Sequence, residues 1–298
     1  MPGESSIETG LVIRDDPGNE FVWIPVGIPW KTDSSKIIAL ARYEFKKATD
    51  STAGTILQTK TDGSALKLSG YSKDFTEDIK NNTGKGNAIA KDIEDFISKT
   101  NEAGGFFIGR YEARVEGYTG SVITSNSESK TSWTGYTDGK LVEKPGTQVF
   151  NYITQNKAAE LSRGMYTSDY FESDLINSYA WDTATLFLQE YDNRTDAVKG
   201  NSEYKAKYSN QIRLSTGLKN TGTNNLSAEA NKDKICNVYD MADNCYEWTT
   251  ETSSYGNSPC VIRGGHYSSS DYYTSFRFYS DTTYAYAYYS FRPVLYVK

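Results

Sequence analysis

The chain has 298 residues, a formal net charge of −6 and 37% hydrophobic residues. Its 24 tyrosines, 12 phenylalanines and 5 tryptophans exclude a disordered chain, because disordered segments are poor in aromatic residues. The acidic balance without a basic block argues against nucleic acid as a partner. The sequence predicts neither a signal peptide nor a membrane-spanning run, so we expect a soluble chain with no direct membrane insertion.

The N-terminal half predicts short strands, polar loops and one helix. NEFVWIPVGIPW is the first predicted strand, and Pro25 indicates a sheet edge or a bulge. Residues 31–86 are polar and predict a meander of short strands and loops. NAIAKDIEDFISKTNEAGG predicts a helix that ends at Gly104 and carries one apolar stripe, formed by Ile89, Ile93, Phe96 and Ile97. GFFIGRYEARVEG predicts a strand, and residues 118–146 predict a loop.

Two further helices and a closing strand are predicted in the C-terminal half. TQNKAAELSRGMY would be capped by Thr154, and SDLINSYAWDTATLFLQEYD by Ser173 or Asp174. Residues 193–234 predict loops, and SFRPVLYVK predicts the last strand. Together these elements predict an α+β fold that is rich in loops.

Six motifs resemble the formylglycine-generating-enzyme (sulfatase-modifying factor) family, and they come in the order of that family. FVWIPVG, GFFIGRYEA and SYAWDTATLFL resemble two of its strands and a helix, and NVYDMADNCYEW, VIRGG and SFRP resemble its C-terminal signatures. The resemblance implies a C-type lectin fold, a compact α+β domain whose N- and C-terminal strands pair. It implies a single domain over residues 1–298, with insertions at about 31–86 and 118–146.

The residues within these motifs also have structural interpretations of their own. Gly264 and Gly265 permit a tight turn or close packing. Trp181 and Trp248 are predicted core aromatics. We expect the polar residues of NVYDMADNCYEW to bond loop backbone amides, with a metal site as the alternative; these residues are Asp240, Asn244 and Glu247. Two arginines are predicted to pair with buried carboxylates or carbonyls, Arg263 and Arg292.

The cysteines and the single histidine of the chain do not match the residues that the enzymes of the family use. Its catalytic members share a cysteine pair between the R-G-G and G-F-R motifs, but all three cysteines here precede R-G-G, namely Cys236, Cys245 and Cys260. A second enzymatic branch binds iron through several histidines, and His266 is the single histidine. We therefore expect a non-enzymatic protein without a cofactor, and free buried thiols, with one local disulfide as the alternative.

Residues 266–290, here called the variable segment, use a narrow alphabet of mostly Tyr, Ser and Thr. Every residue in the variable segment can arise from an AAC codon whose two adenines are randomised, whereas Lys, Glu, Gln, Met and Trp cannot arise and are absent. The chain thus resembles the variable proteins of diversity-generating retroelements, which have a formylglycine-generating-enzyme-like fold. Ordinary strands or a low-complexity surface loop are the alternatives, and TYAYAYYS has the alternation of a strand.

The resemblance implies a ligand-binding protein of receptor or adhesin type, because Tyr and Ser favour adaptable binding surfaces. The expected ligand-binding residues are His266, Tyr267, Ser268, Ser269, Asp271, Tyr272, Tyr273, Tyr279, Ser280, Asp281, Tyr284, Tyr286, Tyr288 and Tyr289. We expect the tyrosines to be mainly exposed and to cluster on one face. The expected ligand is a protein or glycan on a cell surface, and the expected location is extracellular, on a bacterial surface or phage particle. A non-variable adhesin and a divergent oxidase of the same fold are the alternative functions.

Overall fold

A computed structural model describes residues 4–45, 56–62, 66–67, 74–76, 86–117, 139–145, 147–192, 234–241, 244–266 and 274–298. The helices are a short 3₁₀ helix (Ile7–Thr9), α1 (Ile93–Ala103), α2 (Gln155–Met165) and α3 (Ser178–Tyr191). The strands are β1 (Val12–Arg14), β2 (Glu20–Pro25), β3 (Arg42–Phe45), β4 (Ile56–Lys60), β5 (Leu66–Lys67), β6 (Asp74–Thr76), β7 (Gly105–Gly109), β8 (Arg114–Glu116), β9 (Lys140–Val142), β10 (Gln148–Val149), β11 (Phe171–Leu175), β12 (Lys234–Ile235), β13 (Val238–Tyr239), β14 (Tyr246–Ser253), β15 (Cys260–Arg263), β16 (Arg277–Ser280), β17 (Tyr289–Phe291) and β18 (Pro293–Val297).

An antiparallel five-stranded sheet joins the two ends of the chain in the order β1-β2-β7-β18-β11. The expected direct pairing of the N- and C-terminal strands is wrong in detail, because β7 lies between β2 and β18. The sequence of β7, GFFIG, is buried along its whole length, which suits a strand with neighbours on both sides. The expectation that Pro25 marks an edge or bulge is also wrong: β2 is an inner strand, and Pro25 ends it opposite Gly105.

A second sheet carries the C-terminal motifs. It has the order β16-β15-β14-β6-β5, and β17 pairs in parallel with β14. The polar insertion 31–86 contributes β5 and β6 to this sheet and forms the separate hairpin of β3 and β4. The predicted strand GFFIGRYEARVEG is two strands, because Arg110 and Tyr111 leave the ladder and both donate hydrogen bonds to Glu20 Oε2 at 2.8 Å.

The three α-helices agree with the predicted order, but two N-termini differ. α1 begins at Ile93 because the Asp92 side chain caps it, so Ile89 of the predicted stripe precedes the helix. α1 ends at Gly104, whose φ of +77° and N–H bond to Thr100 confirm the predicted C-cap. α2 follows Thr154 as expected, although that side chain accepts no capping hydrogen bond. α3 begins three residues later than the predicted caps allow, because residues 171–175 form β11 and Asn177 Oδ1 accepts from the Ala180 N–H at 2.9 Å. The predicted caps Ser173 and Asp174 therefore lie in a strand.

The core has two main parts. One lies where α1 and α3 pack on the five-stranded sheet, and it contains the fully buried Trp181. The other lies between α2 and the second sheet, and it contains the fully buried Trp248. Both tryptophans are core residues as predicted, and each indole N–H donates to a backbone carbonyl at 2.8 Å. Among the described helices, none is long and apolar enough to cross a membrane.

Candidate ligand-binding surface

The described part of the variable segment, residues 274–290, follows the edge of the second sheet. It begins with β16, which pairs with β15, and it ends on β17, which pairs with β14. Between them the chain is fixed by backbone hydrogen bonds from the N–H of Tyr152 to Tyr286 O at 3.1 Å and from the N–H of Tyr246 to Tyr288 O at 2.8 Å. These bonds use the main chain of the segment, so they set its path without requiring particular side chains.

The stretch TYAYAYYS alternates inward and outward side chains. Ala285 and Ala287 are fully buried against Tyr152, whereas Tyr284 is exposed at 37% and Tyr286 and Tyr288 are half-buried. The predicted placement of these three tyrosines on one face is confirmed, although only the end of the stretch forms a regular strand. The small residues therefore lie inside and the tyrosines outside, where Tyr286 and Tyr288 also pack against the core of the second sheet.

Nine aromatic and imidazole rings form a continuous row, here called the aromatic band. Its members are Tyr255, Tyr279, Phe278, Phe276, Tyr246, His266, Tyr288, Tyr286 and Tyr284, in spatial order. Neighbouring ring centroids along this row lie 3.8 to 6.1 Å apart. The most exposed members are Phe278 at 38% and Tyr255 and Tyr284 at 37% each. Such a band offers large rigid contacts at low cost in conformational entropy.

His266 occupies the middle of the band. Its ring lies 4.5 Å from Tyr246 and 4.8 Å from Tyr288, with the second pair stacked. Burial lowers the pKa of His266 to about 4, so the imidazole is neutral at physiological pH. This histidine therefore serves as a packed aromatic member of the surface.

Arg277 lies in the same segment but points into the interior. Its Nε donates to both carboxylate oxygens of Glu251 at 2.9 and 3.1 Å, and its Nη1 donates to Tyr43 O at 3.0 Å. Its Nη2 also donates to Asp182. Arg277 is almost fully buried, and it connects the variable segment to β3, α3 and β14 at one point.

Two arginines of the scaffold complete this buried network. Arg263 donates to Asp182 at 2.6 Å and to Glu251 at 3.2 Å, and Arg42 donates to Glu251 at 2.6 Å. Burial alone would raise the pKa of Glu251, but the three guanidinium groups outweigh it and lower that pKa to about 2. The predicted pairing of Arg263 is thereby confirmed, and Glu251 stays ionised under Arg277.

A second ionic cluster lies under the NVYDMADNCYEW motif. Arg292 donates two hydrogen bonds to the Glu247 carboxylate, at 2.6 and 3.0 Å, which confirms the prediction that Arg292 pairs with a buried carboxylate. Asn244 donates to the Glu112 carboxylate, and Asp240 Oδ2 lies 3.5 Å from Arg114 Nη2. Glu247 differs from the expected bonding of loop backbone amides, because both of its carboxylate oxygens accept hydrogen bonds from the Arg292 guanidinium. Burial, reinforced by neighbouring carboxylates, raises the pKa of Glu112 well above its ordinary value.

Gly264 gives the VIRGG motif its turn. Its φ is +74°, and a Cβ at this position would lie 2.6 Å from Met241 O, so the close backbone approach excludes a side chain.

The described residues contain no group of three or more His, Cys, Asp or Glu side chains that could hold a metal ion. The three cysteines are free and buried, as predicted.

Two predicted surface residues are interior residues. Tyr289 is exposed at only 6% and packs edge-on against Trp248 at 4.7 Å, and Ser280 is exposed at only 4%. Their hydroxyl groups lie 3.1 Å apart in the core, and burial raises the pKa of Tyr289. The expectation that both face a ligand is wrong, because β16 and β17 turn these side chains toward the core of the second sheet.

The remaining predicted site residues fall into two groups. Tyr279, Asp281, Tyr284, Tyr286, Tyr288 and His266 are half-buried or exposed. Six others lie outside the described residues: Tyr267, Ser268, Ser269, Asp271, Tyr272 and Tyr273.

Four members of the band were not among the predicted site residues. Phe276 and Phe278 lie within the variable segment and belong to its restricted alphabet, so the alphabet itself could have indicated them. Tyr246 and Tyr255 lie outside the segment. The pairing of β14 with β15 brings Tyr255 to this surface, whereas Tyr246 is exposed at only 6% and lies in the core beneath the exposed members of the band.

Comparison with known proteins gives a family match in the C-terminal half of the chain. Residues 153–295 match the family model of the sulfatase-modifying factor enzyme 1-like domain, which confirms the resemblance predicted from the motifs. Together with the mixed helices and small sheets, this match establishes an α+β fold of the C-type lectin type. Among solved structures, the chain is similar to Treponema denticola variable protein 1, with 14% identity, a TM-score of 0.36, and coverage of 64% of this chain and 84% of that chain. None of the curated proteins matches the sequence.

Proposed function

We propose that this chain is a ligand-binding protein whose variable segment is diversified by a retroelement so that related copies bind different targets. The observation that carries the proposal is that residues 274–290 contain both buried side chains and side chains that belong to the aromatic band. Arg277, Ala285 and Tyr289 are buried, whereas Tyr284 is exposed and Tyr286 and Tyr288 are half-buried members of the aromatic band. Diversification is compatible with folding only if the positions that change are not those that pack.

The restricted alphabet supports the same proposal from a separate direction. Tyrosine supplies large amphipathic contacts, and Ser and Thr supply adaptable hydrogen bonds, which is the composition of surfaces selected from random repertoires. A set of outward tyrosines of this size without a ligand would leave an exposed aromatic patch, which monomeric soluble proteins rarely carry.

The gene and its neighbourhood provide the first experiment. We expect a near-copy of the segment beside a reverse-transcriptase gene, with AAC or related adenine-rich codons at the outward positions. Codons for buried residues such as Arg277 and Ala285 should be the same in both copies. Absence of such a copy from a complete genome would favour the alternative, a non-variable adhesin of the same fold. Differences spread evenly over buried and outward positions would contradict the proposal.

The proposal assigns no catalytic activity to the chain, although the family includes enzymes. The thiols of Cys245 and Cys260 are buried, and burial raises the pKa of both, so neither is a reactive thiolate at neutral pH. A divergent oxidase remains the alternative enzyme. Copper and iron analysis of pure protein, combined with an assay for oxidation of a cysteine-containing peptide, would detect it.

The proposed ligand is a protein or glycan on a cell surface. The corresponding location is extracellular, on a bacterial surface or phage particle. A direct test is to screen the full chain against host cell-surface fractions and then to replace Tyr279, Tyr284, Tyr286 and Tyr288 by Ala. We expect binding to be lost in the combined variant while its circular dichroism spectrum stays native. Binding that survives this variant would place the ligand site elsewhere.

A further inference from the structure

We infer that Tyr255, which lies outside the variable segment, is a fixed member of the ligand-binding surface and that this end of the band fits a folded protein rather than a glycan. The inference rests on the proposed function and narrows it to one class of ligand. Because Tyr255 lies outside the variable segment, its contact with the ligand would be available in every diversified copy.

The turn between β14 and β15 holds Tyr255 in place. The Tyr255 N–H donates to Ser253 Oγ at 3.1 Å, and the Ser258 N–H donates to Tyr255 O at 2.8 Å. Gly256 follows with φ +44°, a conformation in which glycine is favoured. The backbone of the scaffold therefore positions this ring, which remains exposed at 37%.

The Tyr255 ring joins the variable segment through stacking. Its centroid lies 3.8 Å from that of Tyr279, with the two planes 26° apart. Tyr279 in turn stacks on Phe278 at 4.4 Å and 19°, and Phe278 on Phe276 at 6.0 Å and 10°. Tyr255 is thus the end of a row of four nearly parallel rings, three of which belong to the segment. A ligand that covers Phe278 and Tyr279 would also reach Tyr255.

The arrangement of the four rings indicates the class of ligand. Tyr255, Tyr279 and Phe278 stack at 3.8 and 4.4 Å, so these three rings cover one another's faces and leave mainly ring edges for a ligand. A sugar ring packs its C–H groups on an open aromatic face, whereas a protein surface offers apolar side chains to ring edges and carbonyl groups to hydroxyls. Charge separately disfavours an acidic glycan. The charged residues of 274–290 are Arg277, which is buried, and Asp281, so the row offers no cation to an acidic glycan.

A display library tests the inference without knowledge of the natural ligand. The full chain would be displayed with Tyr255, Phe278 and Tyr279 unchanged and with five outward positions randomised to residues of the restricted alphabet. These positions are Asp281, Thr283, Tyr284, Tyr286 and Tyr288. The library would be selected separately against two immobilised proteins, serum albumin and transferrin, and against two neutral glycans, dextran and mannan.

We expect binders to the proteins, and we expect Tyr255→Ala to weaken each of them about 30-fold, as for loss of an aromatic hot-spot contact. Tyr255→Leu keeps apolar bulk on the turn and should weaken binding about 10-fold through loss of the stacked ring. Tyr170→Ala is the matched control, because Tyr170 is a tyrosine exposed at 75% beside β11, and it should change affinity less than twofold.

Two results would overturn the inference while leaving the proposed function intact. One is a set of protein binders that tolerate both Tyr255 variants within twofold but lose binding on Tyr286→Ala. The other is a library that yields binders to the glycans alone. Failure to select a binder to any of the four probes would overturn both the inference and the proposed function.

Discussion

Replacing Arg277 by Ser should destabilise the protein strongly, although Tyr279→Ser, two positions along the same strand, should be tolerated. Both native residues and the serine belong to the same restricted alphabet. They differ in direction: Arg277 points into the buried network of Glu251 and Asp182, whereas Tyr279 belongs to the half-buried aromatic band. The comparison therefore separates the positions that fold the segment from those available for binding.

The magnitude follows from the contacts of the guanidinium group. Arg277→Ser removes bonds of 2.9 and 3.1 Å to Glu251 and one of 3.0 Å to Tyr43 O, together with the contact to Asp182. Breaking a buried ion pair from one side costs about 3–5 kcal/mol. The lower end applies here, because Arg263 and Arg42 still neutralise the two carboxylates. We expect a loss of about 3 kcal/mol from a total stability of about 5–15 kcal/mol.

Urea unfolding followed by circular dichroism would measure both variants against the native protein. Tyr279→Ser should cost no more than about 1 kcal/mol, since it loses stacking contacts at a half-buried site. A loss below about 1 kcal/mol for Arg277→Ser, or equal losses for the two variants, would refute the division between buried and outward positions. Unfolding free energies measured at falling pH give a second check of the buried network. Glu251 has a lowered pKa in the folded state, so its contribution is present above its ordinary pKa of 4.5 and is lost as the pH falls toward about 2.

Four further outcomes are expected. Tyr289→Ser should cost about 3–5 kcal/mol in urea unfolding, as for other buried aromatics, whereas Tyr288→Ser should cost less than about 1 kcal/mol; similar values for the two would contradict the observed burial. Trp248→Ala should cost about 3–5 kcal/mol, and a loss under about 1 kcal/mol would mean that this indole is not a core residue. The folded state excludes a proton from His266, whose pKa is lowered from 6.5 to about 4, so stability should rise with pH between these values, by up to about 2 kcal/mol from pH 5 to 7. His266→Phe should remove that part of the rise, and an unchanged pH profile would argue against a buried neutral imidazole. Because Asp281 is the remaining charge on the described segment surface, ligand affinity measured at 0.05 and 0.5 M salt should differ only slightly, and a large drop would indicate an ionic site elsewhere.

Local patterns in the sequence were sufficient for several features. The glycine after α1, the turn at Gly264 and the core positions of Trp181 and Trp248 each follow from the chemistry of a single residue type. The motifs also predicted the resemblance that the family model bears out over residues 153–295, because they combine several residue types at fixed spacing. The alternation in TYAYAYYS correctly separated buried alanines from outward tyrosines, since the side chains of an extended chain point alternately to opposite sides.

Features that depend on neighbours distant in sequence were predicted less well. Asn177, rather than Ser173 or Asp174, caps the N-terminus of α3, because residues 171–175 pair with β18 as strand β11. Likewise the sequence does not reveal that β7 separates the two terminal strands. Hydrogen bonding between strands far apart in the chain decides both outcomes. The local sequence of a strand does not indicate which other strand pairs with it.

The candidate site shows the same limit most clearly. The alphabet of residues 266–290 predicted tyrosines that are mainly exposed, but of those that the structure describes only Tyr284 is exposed, and Tyr279, Tyr286 and Tyr288 are half-buried. It could not distinguish Tyr288 from the adjacent Tyr289, which are of the same residue type but lie half-buried and buried respectively. It also gave no sign that Tyr255 belongs to the same surface. Burial and stacking depend on which strands lie side by side, so the composition of the segment follows from the sequence alone, while the tertiary structure decides which of its residues are available for binding.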